Sequence, residues 1–433
     1  TNSLRVAKNA AVFLKRAEAA IGFPIEVISG YEEARLIYLG VAHSLPASKN
    51  NRLVMDIGGG STEFIIGHRL KPIKLESLYM GCVSYSQRFF PEGKITRAAL
   101  RRGELAARSE LQSITADFTT EHWQDAFGSS GTARALGDII TLNKLGNDGH
   151  EGDITPEGLE NFRDYLLKAG DIKKLEIAGL RGDRAPVIPG GFAIMSAAFS
   201  ELGIRRMSQA MGALRQGVLY DLLGRFHKHD MREITVRQFM QRYRVDSAQA
   251  ARVDSLALSL ARQLLINVAD ETEQSLHVLS WAARLHEVGI SVAHSGYHKH
   301  SAYILGNADM PGFSRREQER LSALTLVHRG AVVKARDCIT DSMDLALLFA
   351  LRLAVLFHRC RSDIRLPRLE VRSSNSEFTL FIEPGWLERN PLTDTALSAE
   401  VEQWATLGFT LRVTHEMGGT GPSDKATRST TGV

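Results

Sequence analysis

The chain holds 433 residues, 44% of them hydrophobic and 24% charged, with 37 glycines against 12 prolines; that is a globular composition and excludes disordered, collagen-like and fibrous classes. At about 100–200 residues per domain, the length accommodates roughly two to four compact units, so a multidomain protein is expected. Lys and Arg number 53 against 49 Asp and Glu, a formal charge of +4; this is too small for a global nucleic-acid-binding field, no nucleic-acid partner is expected, and any anionic ligand must be met by local clusters.

Cys82, Cys338 and Cys360 are far apart and form no CxxC pair, which argues against a disulfide framework or zinc ribbon and fits a reducing cytoplasm. The longest apolar run, Leu345 to Phe357, is broken by Arg352 and falls short of the roughly 18 residues a spanning helix needs, so no transmembrane segment is predicted. There is neither an initiator methionine nor a leader; the chain opens directly in a predicted helix, Ser3 to Ala20, and is expected to be a fragment.

Pro24 opens a strand-like run, Ile25 to Ile28, and Ser29-Gly30 turns it into a helix from Tyr31 to Ser44 that is apolar nearly all round and therefore buried. Arg52 to Ile57 and Thr62 to Ile66 are β-rich runs joined by Gly58, Gly59, Gly60 and Ser61, which predicts a hairpin. Helical patterning then covers Arg97 to Phe118, a short strand leads to Phe127, and Gly128 to Thr132 precedes a helix from Ala133 to Leu142. Further βα signals follow at Lys174 to Ala178, in the Arg181–Gly191 loop, in the helix Phe192 to Leu202 and at Met211 to Arg225; this alternation predicts an α/β domain. From about Arg232 to Arg361 strand signals nearly vanish and the periods are helical; after Pro367, alternation through Leu369, Val371, Phe378, Leu380 and Ile382 predicts a small α+β unit. Gly418 to Val433 has no apolar period and is predicted to be a disordered tail.

In Asp56-Ile57-Gly58-Gly59-Gly60-Ser61-Thr62-Glu63, the glycines remove every Cβ from the turn, so backbone N–H groups can converge on an oxyanion. A P-loop would need a Lys and a helix after the glycines, whereas here Ser61 and a strand follow. Asp56 and Glu63 bracket the turn on adjacent strand ends, an arrangement suited to Mg2+ beside a phosphate; the plainer account is a glycine-rich hairpin with two solvated acids. Such a hairpin followed by a second small-residue turn resembles the actin, sugar kinase and heat-shock chaperone superfold. Gly128 to Thr132 supplies the second turn, where Ser130, Gly131 and Thr132, with the Ser129 hydroxyl, could bind another phosphate group at the start of the next helix; ordinary N-capping by Thr132 is the alternative.

In Ile25-Glu26-Val27-Ile28-Ser29-Gly30-Tyr31-Glu32-Glu33-Ala34-Arg35, two acids sit in the first turn of the buried helix, where the helix dipole favours negative charge. Periodicity does not choose between them: Glu32 aligns with Leu36 and Leu39, Glu33 with Ile37 and Val41. With ISGxEEAR, DIGGGSTE, SSGT, GLRGDRA and GALRxGVLY in order, the sequence resembles the exopolyphosphatase and guanosine pentaphosphate phosphatase family over residues 1 to about 415, closer to the exopolyphosphatase branch at RGDRAPV and LHEVG.

The resemblance implies an α/β fold: an actin-like, ribonuclease H-like ATPase-type phosphatase domain with its first half truncated, then an all-helical HD-like domain and a small α+β C-terminal domain. Residues 1–36 would be the remnant of actin-like domain I, 37–225 domain II, 226–363 the HD-like domain, 364–415 the C-terminal domain and 416–433 the tail. On the resemblance, the family's first phosphate-binding hairpin would lie ahead of the TNSLR segment and is expected to be missing. The resemblance makes Glu33 the catalytic base, Asp56 and Glu63 the Mg2+ ligands, and Gly58, Gly59, Gly60 and Ser61 the terminal-phosphate loop, with Arg5 a phosphate-binding arginine or else a helix-surface charge. A monovalent cation such as K+ is a further cofactor it admits.

Lys173, Lys174, Arg181, Arg184, Arg205, Arg206 and Arg215 give the α/β domain repeated cations around loops, as a linear polyanion requires, although most such residues are ordinary solvated charges. Arg181, Arg184 and Arg215, with His286 of the helical domain, are the residues assigned to a polyphosphate channel. Trp281 to Gly289, followed by His294, His298 and His300, resembles a degenerate HD phosphohydrolase core in which Glu287 stands where the metal-binding Asp should be; interdomain contacts, phosphate-chain contacts or packing are expected there rather than a second working metal site. The function so implied is Mg2+-dependent, processive release of orthophosphate from inorganic polyphosphate; the alternatives are hydrolysis of guanosine pentaphosphate, a non-catalytic polyphosphate- or alarmone-binding module, and an actin-like ATP-dependent kinase or chaperone. A homodimer, in the cytoplasm or peripheral at the inner membrane surface, is the expected state.

Overall fold

The structure, a computed structural model, describes residues 2–146, 152–226, 230–266, 272–339 and 341–415. Two compact units form it. The first comprises Thr1–Thr235 with Asp309–Arg316, the second Val236–Ala308 with Glu317–Val433.

A five-stranded sheet centres the first unit, in the order β3-β2-β1-β4-β5, with β1 Asn51–Ile57, β2 Thr62–His68, β3 Lys71–Leu78, β4 Asp125–Ser129 and β5 Ser208–Gln209. The first three strands are antiparallel neighbours, and β4 and β5 continue from β1 in parallel. β1 is buried nearly throughout, as befits a strand covered on both faces. Alternation sends Leu53, Met55 and Ile57, with Phe64 and Ile66, into a core shared with the helices Cys82–Phe89, Arg97–Leu111, Ser130–Leu142 and Ile188–Leu202. Val54 and Ile65 face the other way, against Ala34, Ile37, Tyr38 and Val41 of the Gly30–Ser44 helix. Asp56 and Glu63 share the parity of Val54 and Ile65, so their side chains project on the face that carries this helix. The helix also packs tightly on the Leu214–Phe226 helix: a Cβ on Gly217 would run into the Leu36 carbonyl, and one on Gly40 into that of Ala213.

The second unit contains the helices Ser247–Leu264, Thr272–Leu285, Tyr297–Asn307 and Ser342–Phe357 and most of Arg315–Val327. A three-stranded sheet follows, β6 Leu369–Ser374, β7 Glu377–Ile382 and β8 Thr410–Thr414, in the order β6-β7-β8. Phe349 stacks on Phe378 with ring centroids 4.2 Å apart, and Trp404 closes edge-on against both. Buried Arg352 forks onto Glu400, which also accepts from Trp404 Nε1. No described helix is long and apolar enough to cross a membrane.

Several elements differ from what the sequence predicts. The N-terminal helix is two, Asn2–Val6 and Ala10–Ile21. Ile25 to Ile28 forms no strand: its polar groups go elsewhere, Ile25 N–H to the Glu18 carboxylate and the Val27 carbonyl to Arg315 N–H. The Arg97 helix ends as an α-helix at Leu111, with a 3-10 turn at Thr115–Asp117 beyond it. Lys174 to Ala178 continues a 3-10 turn, Ile172–Lys174, instead of a strand. β3 is an addition to the predicted elements, its alternation masked by Pro72 and a polar face. The proposed tail, Gly418 to Val433, lies outside the described residues.

Candidate active site

The hairpin predicted from the glycines brings Asp56 and Glu63 directly opposite each other on β1 and β2, while Ser129 on β4 is the partner of Asp56 on its other side. Both acids are buried. Burial, with the nearby Glu33 charge, pushes the Asp56 carboxyl up to about 6, an effect Ser129 offsets in part. Burial and the charges of Glu33 and Asp56 push Glu63 up to about 7 against the hydrogen bonds of Ser61 and Ser77. Ser77 donates to Glu63 Oε1 at 2.9 Å; sequence reasoning misses this residue because the alternation of its strand is masked.

Glu33, in the first turn of the Gly30–Ser44 helix, lies near enough for its charge to act on both carboxylates. Ser29 caps that turn, its hydroxyl accepting from Glu32 N–H at 3.1 Å and its carbonyl from Glu33 N–H at 2.9 Å. Periodicity leaves Glu32 and Glu33 equivalent; their surroundings separate them. Glu32 is spent on structure: it takes two hydrogen bonds from Arg35, at 2.8 and 2.7 Å, and one from Gly312 N–H at 2.9 Å. Glu33 has Arg5 as its ion partner, at 2.7 Å between Nη1 and Oε2, and it is the acid whose charge raises both Asp56 and Glu63. Arg5 is therefore no mere surface charge.

In the glycine turn, Gly58 N–H bonds the Ser61 carbonyl at 2.9 Å. The Gly58 carbonyl accepts from Cys82 N–H, and the Gly59 carbonyl from Val83 and Ser84 N–H, so the start of the Cys82–Phe89 helix ties down the oxygen side of the loop. Gly81 makes this possible, since a Cβ there would strike the backbone of Gly59 and Gly60. With its oxygens held, the loop presents the N–H groups of Gly59, Gly60 and Ser61, which meet no protein acceptor among the described residues. Unpartnered amides grouped on one turn suit an anion.

The second turn differs in detail from the predicted one. The helix begins at Ser130, so Ser130, Gly131 and Thr132 form its first turn, and Ser130 sits at φ +79°, a strained position of the kind that collects at ligand-binding loops. The Ser129 hydroxyl donates to the Gly212 carbonyl, and those of Ser130 and Thr132 to the Ile57 carbonyl at 3.1 and 3.4 Å. Ser130 and Thr132 thereby stitch the two loops together, and the turn's free donors are its backbone N–H groups.

Among the arginines, Arg184 is brought to this turn: a Cβ on Gly131 would lie 2.5 Å from its guanidinium carbon. Arg181 is 81% exposed and pairs with Asp183, Arg215 is exposed in the first turn of its helix, and Arg205 and Arg206 line a cavity with Arg52 and Asp125 at the opposite ends of the strands. His286 is buried in the second unit, Nδ1 against the Ala283 carbonyl at 2.6 Å. Its neighbour Glu287 is gripped by Arg361 through two bonds of 2.6 and 2.9 Å, so the acid at the HD position is already neutralised.

Among the described residues, no three His, Cys, Asp or Glu side chains are arranged to hold a metal by themselves. Two carboxylates completed by substrate oxygens are a common Mg2+ arrangement. Asp56 and Glu63 fit it, being hard oxygen donors held side by side in a buried site where their own charges are unfavourable.

Carboxylates beside an amide-lined hairpin loop, with a helix-borne acid whose charge acts on them, are the groups that phosphoryl transfer uses, and the comparisons with known proteins point to the same chemistry. The profile of the Ppx/GppA phosphatase family matches residues 1–226, and that of Ppx/GppA phosphatase domain III matches residues 231–401. The chain belongs to the Ppx/GppA phosphatase family. It is 38% identical, over 95% of its length and 82% of the relative's, to a protein of Pseudoalteromonas translucida named guanosine-5'-triphosphate,3'-diphosphate pyrophosphatase. An Aeromonas hydrophila protein of the same name is 34% identical over 95% of this chain and 83% of its own. Among solved structures, an exopolyphosphatase from Cytophaga hutchinsonii shares 24% identity at a TM-score of 0.45, covering 51% of this chain and 72% of that one.

Proposed function

We propose that the protein hydrolyses the terminal 5'-phosphoanhydride of guanosine-5'-triphosphate,3'-diphosphate, with orthophosphate and the corresponding 5'-diphosphate as products. The names carried by its 38% and 34% identical relatives support this substrate over the polyphosphate suggested by the RGDRAPV and LHEVG segments. What supports the chemistry is the charge of Glu33 acting on buried Asp56 and Glu63, cross-strand partners on the hairpin that carries the amide-lined loop.

Glu33 accepts a proton from a water whose oxygen attacks the terminal phosphorus; the bond to the bridging oxygen breaks, and that oxygen leaves with the electron pair. The amides of Gly59, Gly60 and Ser61 hold the transferred group in line, and Arg184 and the Ser130 helix start meet the next phosphate. Asp56 and Glu63 would hold Mg2+, which when bound offsets charge on the phosphate oxygens. Arg5 holds the Glu33 carboxylate in orientation between turnovers through its bond to Oε2.

Polyphosphate is the second reading, favoured by exposed Arg181 three residues from Arg184, a start for a track of cations leading away from the loops. Phosphate release by the full-length protein from each substrate separates the two. Release from the guanosine nucleotide, abolished by Glu33→Gln with binding retained, is the expected result.

A further inference from the structure

Next to Glu33 lies a buried group of charges that takes no part in the reaction described above. Glu32 takes two bonds from Arg35. Arg35 Nη2 also donates to Asp221 Oδ1 at 2.5 Å, across to the Leu214–Phe226 helix. Asp221 Oδ2 accepts from Arg225 Nε at 3.1 Å, and Arg225 Nη2 donates to the Gly312 carbonyl at 3.2 Å. Gly312 N–H returns to Glu32 and closes a ring of two acids, two arginines and one glycine.

The Gly312 corner is held firmly. Gly312 is at φ +87°, where a side chain is strained, and a Cβ would come 2.9 Å from Arg232 N. The preceding Pro311 carbonyl accepts from the fully buried Thr235 hydroxyl at 2.6 Å. Arg315 N–H bonds the Val27 carbonyl at 2.8 Å, two residues before the Ser29 cap. Residues 27 to 35 are thus tied at Val27, Ser29, Glu32 and Arg35, and Glu33 lies inside that span.

We propose that Glu32, Arg35, Asp221, Arg225 and Gly312 are positioning residues for the hydrolysis, a charge-neutral clamp that fixes the helical turn from which Glu33 faces Asp56 and Glu63. A helix N-terminus frays readily unless tied, and misplacing a reacting group by about 1 Å can cost on the order of a hundredfold in rate. The clamp opposes that loss without touching substrate. The proposal rests on Glu33 as the base.

The test is steady-state phosphate release by full-length Asp221→Asn and Arg225→Gln proteins, normalised to folded protein, with hydrogen exchange measured on the segments at 29–37 and 51–68. The expected result is a fall in kcat of about 10- to 100-fold with KM within about threefold, and faster exchange at 29–37 with the hairpin unchanged. Unchanged kcat per folded molecule, or unchanged exchange at 29–37, overturns the proposal. Should Asp221→Asn fail to fold, Arg225→Gln decides alone, because Arg225 is the most exposed of the four charged side chains. Absence of turnover in the unsubstituted protein would instead overturn the assignment of function, and the exchange comparison would still report on the clamp.

Discussion

Asp56 and Glu63 are direct cross-strand partners, buried side by side, and both carboxyls lie well above the ordinary range because burial and the Glu33 charge disfavour their ionised forms. A group whose folded pKa is raised contributes least stability where it is ionised. The metal-free protein should therefore lose stability as pH rises from about 3, where both acids are largely protonated in either state, through 6 and 7, with the full penalty present by pH 8. Thermal unfolding in chelator should show a lower midpoint at pH 8 than at pH 5, and Mg2+ should restore more at pH 8; a midpoint that rises with pH would contradict this electrostatic reading.

Glu33→Gln should lower kcat by about a hundred- to ten-thousandfold. Equilibrium binding of the nucleotide should change little, since the Gly59–Ser61 amides and Arg184 remain. Glu32→Gln, in contrast, should reduce stability as well as rate, because Glu32 is buried under three hydrogen bonds. Equal effects of the two substitutions on unfolding and rate would remove the distinction between them.

Arg5→Ala leaves Glu33 without its arginine partner. A drop in kcat/KM of about tenfold or more is expected, measured at saturating Mg2+, from a charge-assisted bond of this strength. No change would return Arg5 to the role of a helix-surface charge.

Gly81→Ala puts a Cβ against the Gly59 carbonyl and the Gly60 nitrogen. Overpacking of this kind costs about 1–3 kcal/mol, and the loop has to shift, so phosphate affinity should fall along with the unfolding midpoint. A variant with intact affinity would show that the loop does not need the Cys82–Phe89 helix to orient its amides.

His286→Ala should leave turnover nearly unchanged per folded molecule while lowering stability, since the ring is packed inside the second unit and adjacent Glu287 is committed to Arg361. Metal analysis should find no ion lost with the substitution.

Much of the site is legible in the sequence because glycine runs and paired acids have few structural outlets. The DIGGGSTE hairpin forms where its glycines place it, and its strand parity alone puts Asp56 and Glu63 on the helix-covered face. The choice between Glu32 and Glu33 is not legible from periodicity, since it depends on Arg5, 28 residues away from Glu33, and Gly312, 280 residues from Glu32. Arg184 stands out in the sequence merely as one arginine among several; its approach to Gly131 is a tertiary event. Ile25 to Ile28 has a strand's composition without a strand's partner. The hydroxyls of Ser129, Ser130 and Thr132 suggest phosphate ligands, yet they donate to carbonyls that local sequence does not bring near.

The most direct measurement is orthophosphate release by the full-length protein with Mg2+, offered guanosine-5'-triphosphate,3'-diphosphate and long-chain polyphosphate in parallel, with nucleotide products and remaining chain length resolved in the same samples. The account predicts loss of a single phosphate from the nucleotide, absent in Glu33→Gln. Shortening of polyphosphate with the nucleotide untouched would contradict the assigned substrate, and release from neither would contradict the catalytic reading of Glu33, Asp56 and Glu63.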